Sequence, residues 1–355
     1  MNRAMMGAAS AALTGVLLLS ACGGGGDAGG GDGPDEVSLT FVTAFPEQGQ
    51  NNDGFWIFRD ILEEKAPWIE IDYRGGPEVV EPTALIEGVQ SGAYDGGHLP
   101  GDYYTGQMPL MELQRFTPYT PMEERENGVY DLLAEAHNEM GVHYLGHTHS
   151  AVPQGLLLKE KIDTADLTGK QIRASTAATN MVSSLGGTPV EMPGDEVFTA
   201  LQRGVIDGTV WASVGPSTFG FHTEVNYYVE PRWYESVANT VINADRWESL
   251  DEETQQALNE AMIEAEPKIF EHYQSLTAEE TATWEEAGME KIELSAEDEK
   301  KMMEIAYVGA WDDLDWNRIV EGSPQAEELR SLYQEGYGDD LTEAVPGKAH
   351  IEAAK

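Results

Sequence analysis

Apolar and polar residues alternate through the middle of the chain in a pattern that predicts five successive elements. Short apolar runs have the length and spacing of strands, and the stretches between them carry apolar side chains on one helical face. Glycines follow both helical stretches, as expected at helix C-termini. The predicted order is strand, helix, strand, helix, strand over residues 170–174, 177–185, 188–192, 194–204 and 205–212. A βαβαβ unit of this kind binds ligands beyond the carboxyl ends of its strands.

The same alternation on both sides of this unit predicts an α/β fold. Upstream, it predicts strands over 37–45, 69–73, 93–99 and 142–146 and helices over 55–64, 82–90 and 123–140. Beyond Asp251 only helices are predicted, over 252–286, 296–310 and 324–334. Pro267 lies inside the longest of them, where its missing N–H is expected to kink the helix or divide it in two.

The length of the chain predicts two lobes. Its 355 residues, 41% of them hydrophobic, exceed the usual size of one domain. We expect the chain to cross between the lobes near residues 150–155 and again near 237–243. The predicted parts are lobe I at 36–152 plus about 241–275, lobe II at 153–240 plus about 276–336, and a peripheral tail at 337–355.

The amino terminus has the features of a lipoprotein signal peptide over residues 1–22. Arg3 is followed by a short apolar stretch and then by the sequence Leu-Ser-Ala-Cys, which ends at Cys22, the only cysteine of the chain. Lipid attachment at Cys22 would anchor the protein to a membrane, and the glycine-rich residues 23–35 would form a flexible tether. An ordinary cleaved signal peptide with an incidental cysteine is the alternative.

The charge balance excludes some partners. There are 63 acidic and 21 basic residues, which gives a net charge of −42. Nucleic acid and anionic lipid both require a basic face, so neither is an expected partner. Adaptation to a salty medium is the simplest explanation, because high ionic strength screens the self-repulsion.

One of the few basic residues, Arg173, is predicted at the end of a strand. The planar guanidinium of arginine can bind a carboxylate by two parallel hydrogen bonds. The alternative is that Arg173 pairs with one of the many acidic side chains of the protein itself.

The runs that surround Arg173 resemble a known family. IRAS, followed by GGTPVEMPGDEVFTALQRGVIDG, is similar to the central signature of the solute-binding proteins of TRAP (tripartite ATP-independent periplasmic) transporters, of the DctP type. The resemblance implies a two-lobed periplasmic-binding-protein-like fold with a hinge and a long C-terminal helix that spans both lobes. It also implies that Arg173 binds the carboxylate of an organic acid, and that small and large membrane subunits are the partners.

Within the family, GVIDGTVWASVGPSTFGF and YYVEPRWY resemble the branch that binds 2-oxo acids and related monocarboxylates through a metal ion. In that branch a glutamate precedes the strand-end tryptophan and a glutamine lies in the hinge strand. Here Val210 precedes Trp211, and Pro153 takes the glutamine position with Gln154 beside it. Because valine offers no oxygen to a hard cation, no cofactor is expected, with a bound cation as the open alternative.

Aromatic residues near predicted strand ends suggest a pocket with apolar walls and a few polar groups. The predicted ligand-binding residues are Arg173, Trp211, Gln154, Tyr103, Tyr104, Phe45, Trp233, Tyr234 and His98. Core packing is the alternative for each aromatic residue except Trp211. A metal site at His147 and His149, with His98 or His143 as a third ligand, is a further alternative.

These observations predict an extracytoplasmic, lipid-anchored protein of the periplasm or the outer face of the cell membrane. It would bind an organic acid between its lobes and deliver it to membrane subunits for uptake driven by an ion gradient. A lipoprotein that senses the acid and presents it to a receptor is one alternative. An extracytoplasmic enzyme is another, although the chain has neither a G-x-S-x-G nor an H-E-x-x-H motif.

Overall fold

The computed structural model describes residues 34–338, with twelve strands and twelve α-helices. The strands are β1 Val37–Thr43, β2 Ile69–Gly75, β3 Gly96–Pro100, β4 Val142–His149, β5 Pro153–Leu158, β6 Gln171–Arg173, β7 Thr188–Val190, β8 Gly208–Ala212, β9 Tyr227–Glu230, β10 Trp233–Glu235, β11 Ala238–Asn243 and β12 Glu290–Glu293. Cys22, the predicted signal peptide and most of the predicted tail lie outside the described residues.

Helices surround the strands. They are α1 Asp53–Lys65, α2 Leu85–Gln90, α3 Pro121–Asn127, α4 Val129–Glu139, α5 Thr179–Ser184, α6 Gly194–Gln202, α7 Ala244–Glu248, α8 Glu252–Glu286, α9 Ala296–Glu304, α10 Ala310–Asp312, α11 Trp316–Gly322 and α12 Ala326–Gly336. A π-helical segment, Ile305–Gly309, joins α9 to α10. Between residues 34 and 338 no helix has the length and apolar character needed to cross a bilayer.

The strands form two sheets. The first has five strands in the order β2-β1-β3-β11-β4, with β1 parallel to both neighbours and β11 antiparallel to both of its own. The second has seven strands in the order β12-β9-β5-β8-β6-β7, and β10 pairs with the start of β5. This mixed α/β architecture confirms the predicted fold class.

The predicted βαβαβ unit is confirmed within the second sheet. Strands β7, β6 and β8 are parallel neighbours, joined by α5 and α6. The last strand is shorter than predicted and begins at Gly208 instead of Val205. Val205 is 50% exposed, in the turn that follows α6, and its apolar side chain made the run look like a longer strand.

The chain passes between the sheets where the sequence predicts crossings. Strand β4 of the first sheet leads into β5 of the second, and β10 of the second leads into β11 of the first. The exact division into lobes stays a prediction. The sequence assigns helices α11 and α12 to lobe II. In the structure α11 contacts the Pro109–Glu112 segment that follows β3, and α12 contacts α4.

The 35-residue helix α8 packs against both sheets. Its first half, with Leu258 and Ile269, shares a core with α1 and the first sheet, and Trp284 near its end packs on Tyr228 of the second. Of the two effects expected of Pro267, division of the helix does not occur, because α8 is continuous across it. The carbonyl that loses its helical N–H belongs to Ile263, which is 51% exposed, so water can replace the missing donor.

The prediction of one helix over 123–140 is also wrong. Gly128 has φ 92°, a left-handed conformation that ends α3 and separates it from α4. Strands β5, β9, β10, β11 and β12 were not predicted.

Candidate functional site

Arg173 ends strand β6, as predicted, next to Val190 of β7 and Thr209 of β8. Its guanidinium donates two hydrogen bonds to the Met192 carbonyl and one to the Val210 carbonyl, each at 3.3 Å. These distances are beyond the usual range for N–H···O bonds, so all three bonds are weak. Within residues 34–338 no carboxylate forms an ion pair with Arg173, and burial alone lowers its pKa from the usual value.

Trp211 lies directly against Arg173. The guanidinium carbon is 4.7 Å from the centre of the indole ring, a cation–π arrangement that holds the arginine side chain in place. The backbone of Gly194, at the start of α6, packs against the indole ring. A Cβ atom at position 194 would lie only 2.7 Å from an indole carbon. Within the described part of the chain, no group accepts a hydrogen bond from the indole N–H of this half-buried residue.

Two phenylalanines extend the aromatic surface around Trp211. The ring of Phe219 lies 5.3 Å and that of Phe221 5.0 Å from the indole, both edge-on. Phe219 is 45% exposed, although it contacts two other rings. The sequence places Phe219 with the aromatic residues of the predicted cleft, although it is not one of the predicted ligand-binding residues. The signal was present in the run G-P-S-T-F-G-F, where Gly215 and Gly220 both have positive φ and turn the loop beside Trp211.

Gln154 and Trp233 lie on neighbouring strands of the same sheet. Gln154 of β5 is opposite Ala212 of β8 on one side and Trp233 of β10 on the other. The Gln154 side chain is half-buried. Trp233 is fully buried, and its indole nitrogen has no partner among the described residues.

His98 and Phe45 belong to the first sheet and the loop beside it. The His98 ring is fully buried and uses both nitrogens, with Thr148 Oγ1 at 2.7 Å and the Asn51 carbonyl at 3.0 Å. Burial lowers its pKa to about 3, so the imidazole is neutral. Phe45 is half-buried, with its ring 5.6 Å from the imidazole. In this conformation His98 is a core residue and has no free atom to offer a ligand.

The three predicted tyrosines differ in exposure. Tyr103 is 37% exposed beyond β3, whereas Tyr104 is fully buried with its hydroxyl 2.9 Å from His137 Nε2. Tyr234 is also buried, and its backbone N–H donates to the hydroxyl of Tyr307. Tyr104 and Tyr234 therefore contribute to the core in this conformation, which was the alternative left open for them.

The histidines considered for a metal site have separate partners. His147 Nε2 lies 3.1 Å from a Glu124 carboxylate oxygen, and His149 Nδ1 donates to the Ser236 carbonyl. Between residues 34 and 338 no group of three or more His, Cys, Asp or Glu side chains has the arrangement of a metal site. The Val210 side chain is buried, and only its carbonyl points toward Arg173.

Most of the chain is similar to a known protein family. Residues 53–308 match the family described as bacterial extracellular solute-binding protein, family 7, or DctP. A monocarboxylate 2-oxoacid-binding periplasmic protein of Nostoc is 24% identical over 242 residues, which cover 65% of this chain and 66% of that protein, just under two thirds of its length. The ectoine-binding periplasmic protein of Halomonas elongata is 26% identical over 294 residues, or 76% of this chain and 78% of the relative.

Solved structures show the same fold. One is a Bordetella pertussis extracytoplasmic solute receptor that binds pyroglutamic acid, with a TM-score of 0.68 and 21% identity. The superposition covers 84% of this chain and 99% of that one.

Proposed function

Because the protein belongs to the DctP family of bacterial extracellular solute-binding proteins, we propose that it captures a small organic acid and that Arg173 binds the carboxylate. In this proposal the protein is an extracytoplasmic receptor of a TRAP transporter. The enzyme alternative is set aside, because the family and its structural neighbours are solute-binding receptors.

The observation that carries the proposal is the state of Arg173. It is charged and half-buried, and among the described residues it has only three long bonds to two carbonyls and no carboxylate partner. In a chain with 63 acidic residues, a paired arginine would be the ordinary result. A ligand carboxylate makes shorter, charge-assisted bonds than a carbonyl does and would offset the desolvation of the guanidinium.

The neighbours of Arg173 fit an acid with an apolar or planar body. The indole N–H of Trp211 is a free donor next to the guanidinium, and the exposed ring of Phe219 offers an apolar surface beside it. Aromatic walls with a few polar groups are typical of small-ligand sites. The curated relatives bind monocarboxylate 2-oxo acids in one case and ectoine in the other, and both ligand types belong in a first screen.

Ligand capture is proposed to close the two sheets around the acid. The two chain crossings and α8, which packs on both sheets, are elements that a hinge motion requires. Closure depends on the ligand only if the ligand binds the closed form more tightly than the open one. An acid held by Arg173 on one side and by residues of the first sheet, such as Phe45 or Tyr103, on the other would provide that difference.

The closed form is proposed to deliver the acid to small and large membrane subunits, with Cys22 as the lipid attachment site. Membership of the family supports the first step, and the amino-terminal sequence supports the second. Detection of a diacylglyceryl group on Cys22 by mass spectrometry of the purified full chain would test the anchor.

A thermal-shift screen tests the ligand class. The chain is titrated in high salt with monocarboxylates, dicarboxylates, 2-oxo acids, ectoine and neutral analogues, each with and without a divalent cation. Ligand at about one hundred times its Kd adds roughly 2.7 kcal/mol of stability, which raises the melting temperature by several degrees. Shifts with neutral compounds only would contradict the organic-acid assignment.

Arg173→Ala separates a role of Arg173 in binding from a role in folding. Loss of a charged hydrogen bond of roughly 1.5–3 kcal/mol predicts at least a tenfold rise in Kd for the acid found in the screen. Arg203→Ala is the matched control, because Arg203 is exposed on the turn after α6. An unchanged Kd in Arg173→Ala would overturn the proposed contact even if the protein still binds an acid.

A further inference from the structure

A second concave site lies between the π-helical segment and α12, and it shares no residue with the surroundings of Arg173. It is a cavity of ≈ 360 Å³. This volume lies within the range of about 300–1,000 Å³ that is usual for small-ligand pockets. Its walls include three aromatic residues and three polar ones: Tyr307, Trp311, Tyr337, Asp312, Arg330 and Gln334.

Arg330 is held in a corner between two indole rings. Its guanidinium carbon lies 5.2 Å from the centre of the Trp311 ring and 4.7 Å from that of Trp316. The two rings are inclined at 73° to each other. Cation–π contacts on two sides restrict the side chain before any ligand arrives. Within the part of the chain that the structure describes, Arg330 forms no ion pair and no hydrogen bond.

Asp312 lines the same cavity and is exposed. Across residues 34–338 its carboxylate forms no ion pair, either with Arg330 or with another cation. The cavity thus presents one positive and one negative group, each without a described partner. A simple carboxylate would be attracted by Arg330 but repelled by Asp312. A simple cation would be attracted by Asp312 but repelled by Arg330.

The aromatic walls have their polar atoms already engaged. The Tyr307 hydroxyl accepts from the Tyr234 N–H, the Tyr337 hydroxyl donates to the Phe116 carbonyl, and Trp311 Nε1 donates to the Tyr307 carbonyl. The side chains of Tyr307, Trp311 and Tyr337 are 1%, 3% and 4% exposed, so they form a fixed wall of the cavity. The charges of an occupant would then be met by Arg330 and Asp312.

We propose that this cavity is a second ligand site, for a small zwitterion of the amino-acid or betaine class. The carboxylate of the ligand binds to Arg330, and the Gln334 amide is a second donor in reach of the same cavity. The ammonium group lies between Asp312 and the aromatic wall. The wall includes Tyr307 of the π-helical segment, a type of structure that is frequent at functional sites.

Indole NMR signals provide the test. The full chain is labelled with ¹⁵N-tryptophan, the Trp316 signal is assigned with Trp316→Phe, and glycine betaine is the probe. Acetate and tetramethylammonium, at the same ionic strength, represent the two halves of a zwitterion. We expect glycine betaine to shift the Trp316 signal in a saturable way and each half to bind at least about tenfold more weakly, the loss expected from one charged contact.

Variants locate the site. Arg330→Ala and Asp312→Asn are each expected to raise the Kd for glycine betaine at least about tenfold, again the loss of one charged contact. Arg203→Ala is expected to leave it unchanged, and the Trp316 signal, which reports on the surroundings of Arg330, separates this site from the proposed organic-acid site. If Arg330→Ala disturbs the fold, Arg330→Lys keeps the charge but loses the planar fork, and it is expected to bind more weakly than the natural chain.

Three results would overturn the proposal. The first is no saturable shift with glycine betaine in the natural chain. The second is a shift that persists unchanged in Arg330→Ala and Asp312→Asn, which would place the probe elsewhere. The third is acetate binding as tightly as glycine betaine, which would make the cavity a site for anions.

Discussion

Two partly buried arginines, Arg125 and Arg173, differ in what surrounds them. Arg125 of α3 forms a two-pronged ion pair with Glu266 of α8, with one N···O distance of 2.8 Å, and it also donates to the Leu145 carbonyl. Arg173 has two carbonyl acceptors at 3.3 Å and, among the described residues, no carboxylate. The first arrangement connects three elements of the fold. The second leaves a charge without a carboxylate partner in the part of the chain that the structure describes.

The comparison shows how to interpret an arginine in a strongly acidic protein. Because carboxylates are abundant, an arginine finds an acidic partner without a special arrangement. An arginine without such a partner requires surroundings that exclude acidic side chains. Around Arg173 this exclusion comes from Trp211, from the buried Val210 side chain and from backbone carbonyls. Arg125 is therefore expected to contribute to stability and Arg173 to affinity.

The largest expected effect is the loss of stability in Arg125→Ala. The Glu266 side chain is 2% exposed, so the change leaves a buried carboxylate without its partner. Such a change typically costs about 3–5 kcal/mol. Urea unfolding measures it, and Lys268→Ala, which removes an exposed ion pair with Glu264, is the control, with an expected cost of about 0–1 kcal/mol. An equal loss of unfolding free energy in the two variants would show that the buried ion pair stabilises the protein no more than the exposed one.

Arg173→Ala is expected to give the opposite result. Removing a desolvated charge that lacks a carboxylate partner should leave the free energy of unfolding unchanged or raise it slightly, by up to about 1 kcal/mol. The Kd for the acid ligand should rise at least about tenfold. Unfolding and ligand titration are measured on the same preparation. A large loss of stability in Arg173→Ala would show that Arg173, like Arg125, stabilises the fold, and would contradict the proposed difference between the two arginines.

A smaller effect is expected from pH, because His147 lies next to the Arg125 pair. Burial alone would lower the pKa of His147, but the carboxylate of Glu124 raises it above the usual value. The folded protein then holds this proton more tightly than the unfolded chain, in which the pKa is about 6.5. The stabilisation is fully present below about pH 6.5 and is lost as the pH rises through the folded pKa.

The variant His147→Gln isolates this contribution. Its loss of stability relative to the natural chain should be larger at about pH 5.5 than at about pH 8.5, since only the lower pH protonates the histidine in both states. Urea unfolding at the two pH values is the measurement. The factor by which Arg173→Ala raises the Kd for the acid ligand should be the same at both pH values, because an arginine does not titrate between them. A cost of His147→Gln that is independent of pH would contradict a protonated His147.

The sequence identifies Arg173 and Trp211 because both depend on local pattern. A strand that ends in Arg173 and another that has Trp211 one residue before its end lie side by side once the βαβαβ unit is recognised, and the structure has the two side chains in contact. Their role in binding a ligand stays a prediction. Phe219 follows the same strand by several residues, and its position depends on two glycine turns that the pattern does not specify.

The sequence does not separate His98, Tyr104 and Tyr234 from exposed residues. Each lies near a strand end, where a side chain can face either the core or the cleft. Their burial follows from partners that are distant in sequence: Thr148 for His98, His137 for Tyr104 and Tyr307 for Tyr234.

Helix boundaries were missed for a similar reason. Gly128 ends a helix because its φ is positive, and Pro267 leaves one intact because tertiary contacts on both sides hold it. Local propensity favours a break at both residues, and only at Pro267 is it overridden.

The smallest expected effect concerns the indole N–H of Trp211, and it tests whether the site is more than one arginine. Trp211→Phe keeps an aromatic ring over which the guanidinium can lie but removes the N–H, which has no acceptor among the described residues. If the ligand carboxylate accepts from this group, the loss of about 0.5–1.5 kcal/mol should raise its Kd roughly two- to tenfold. Isothermal titration with the acid found in the screen is the measurement, and Arg203→Ala, which lies outside the site, is the control. An unchanged Kd in Trp211→Phe would mean that Trp211 only positions Arg173, and Arg173 would then be the single polar contact on this side of the cleft.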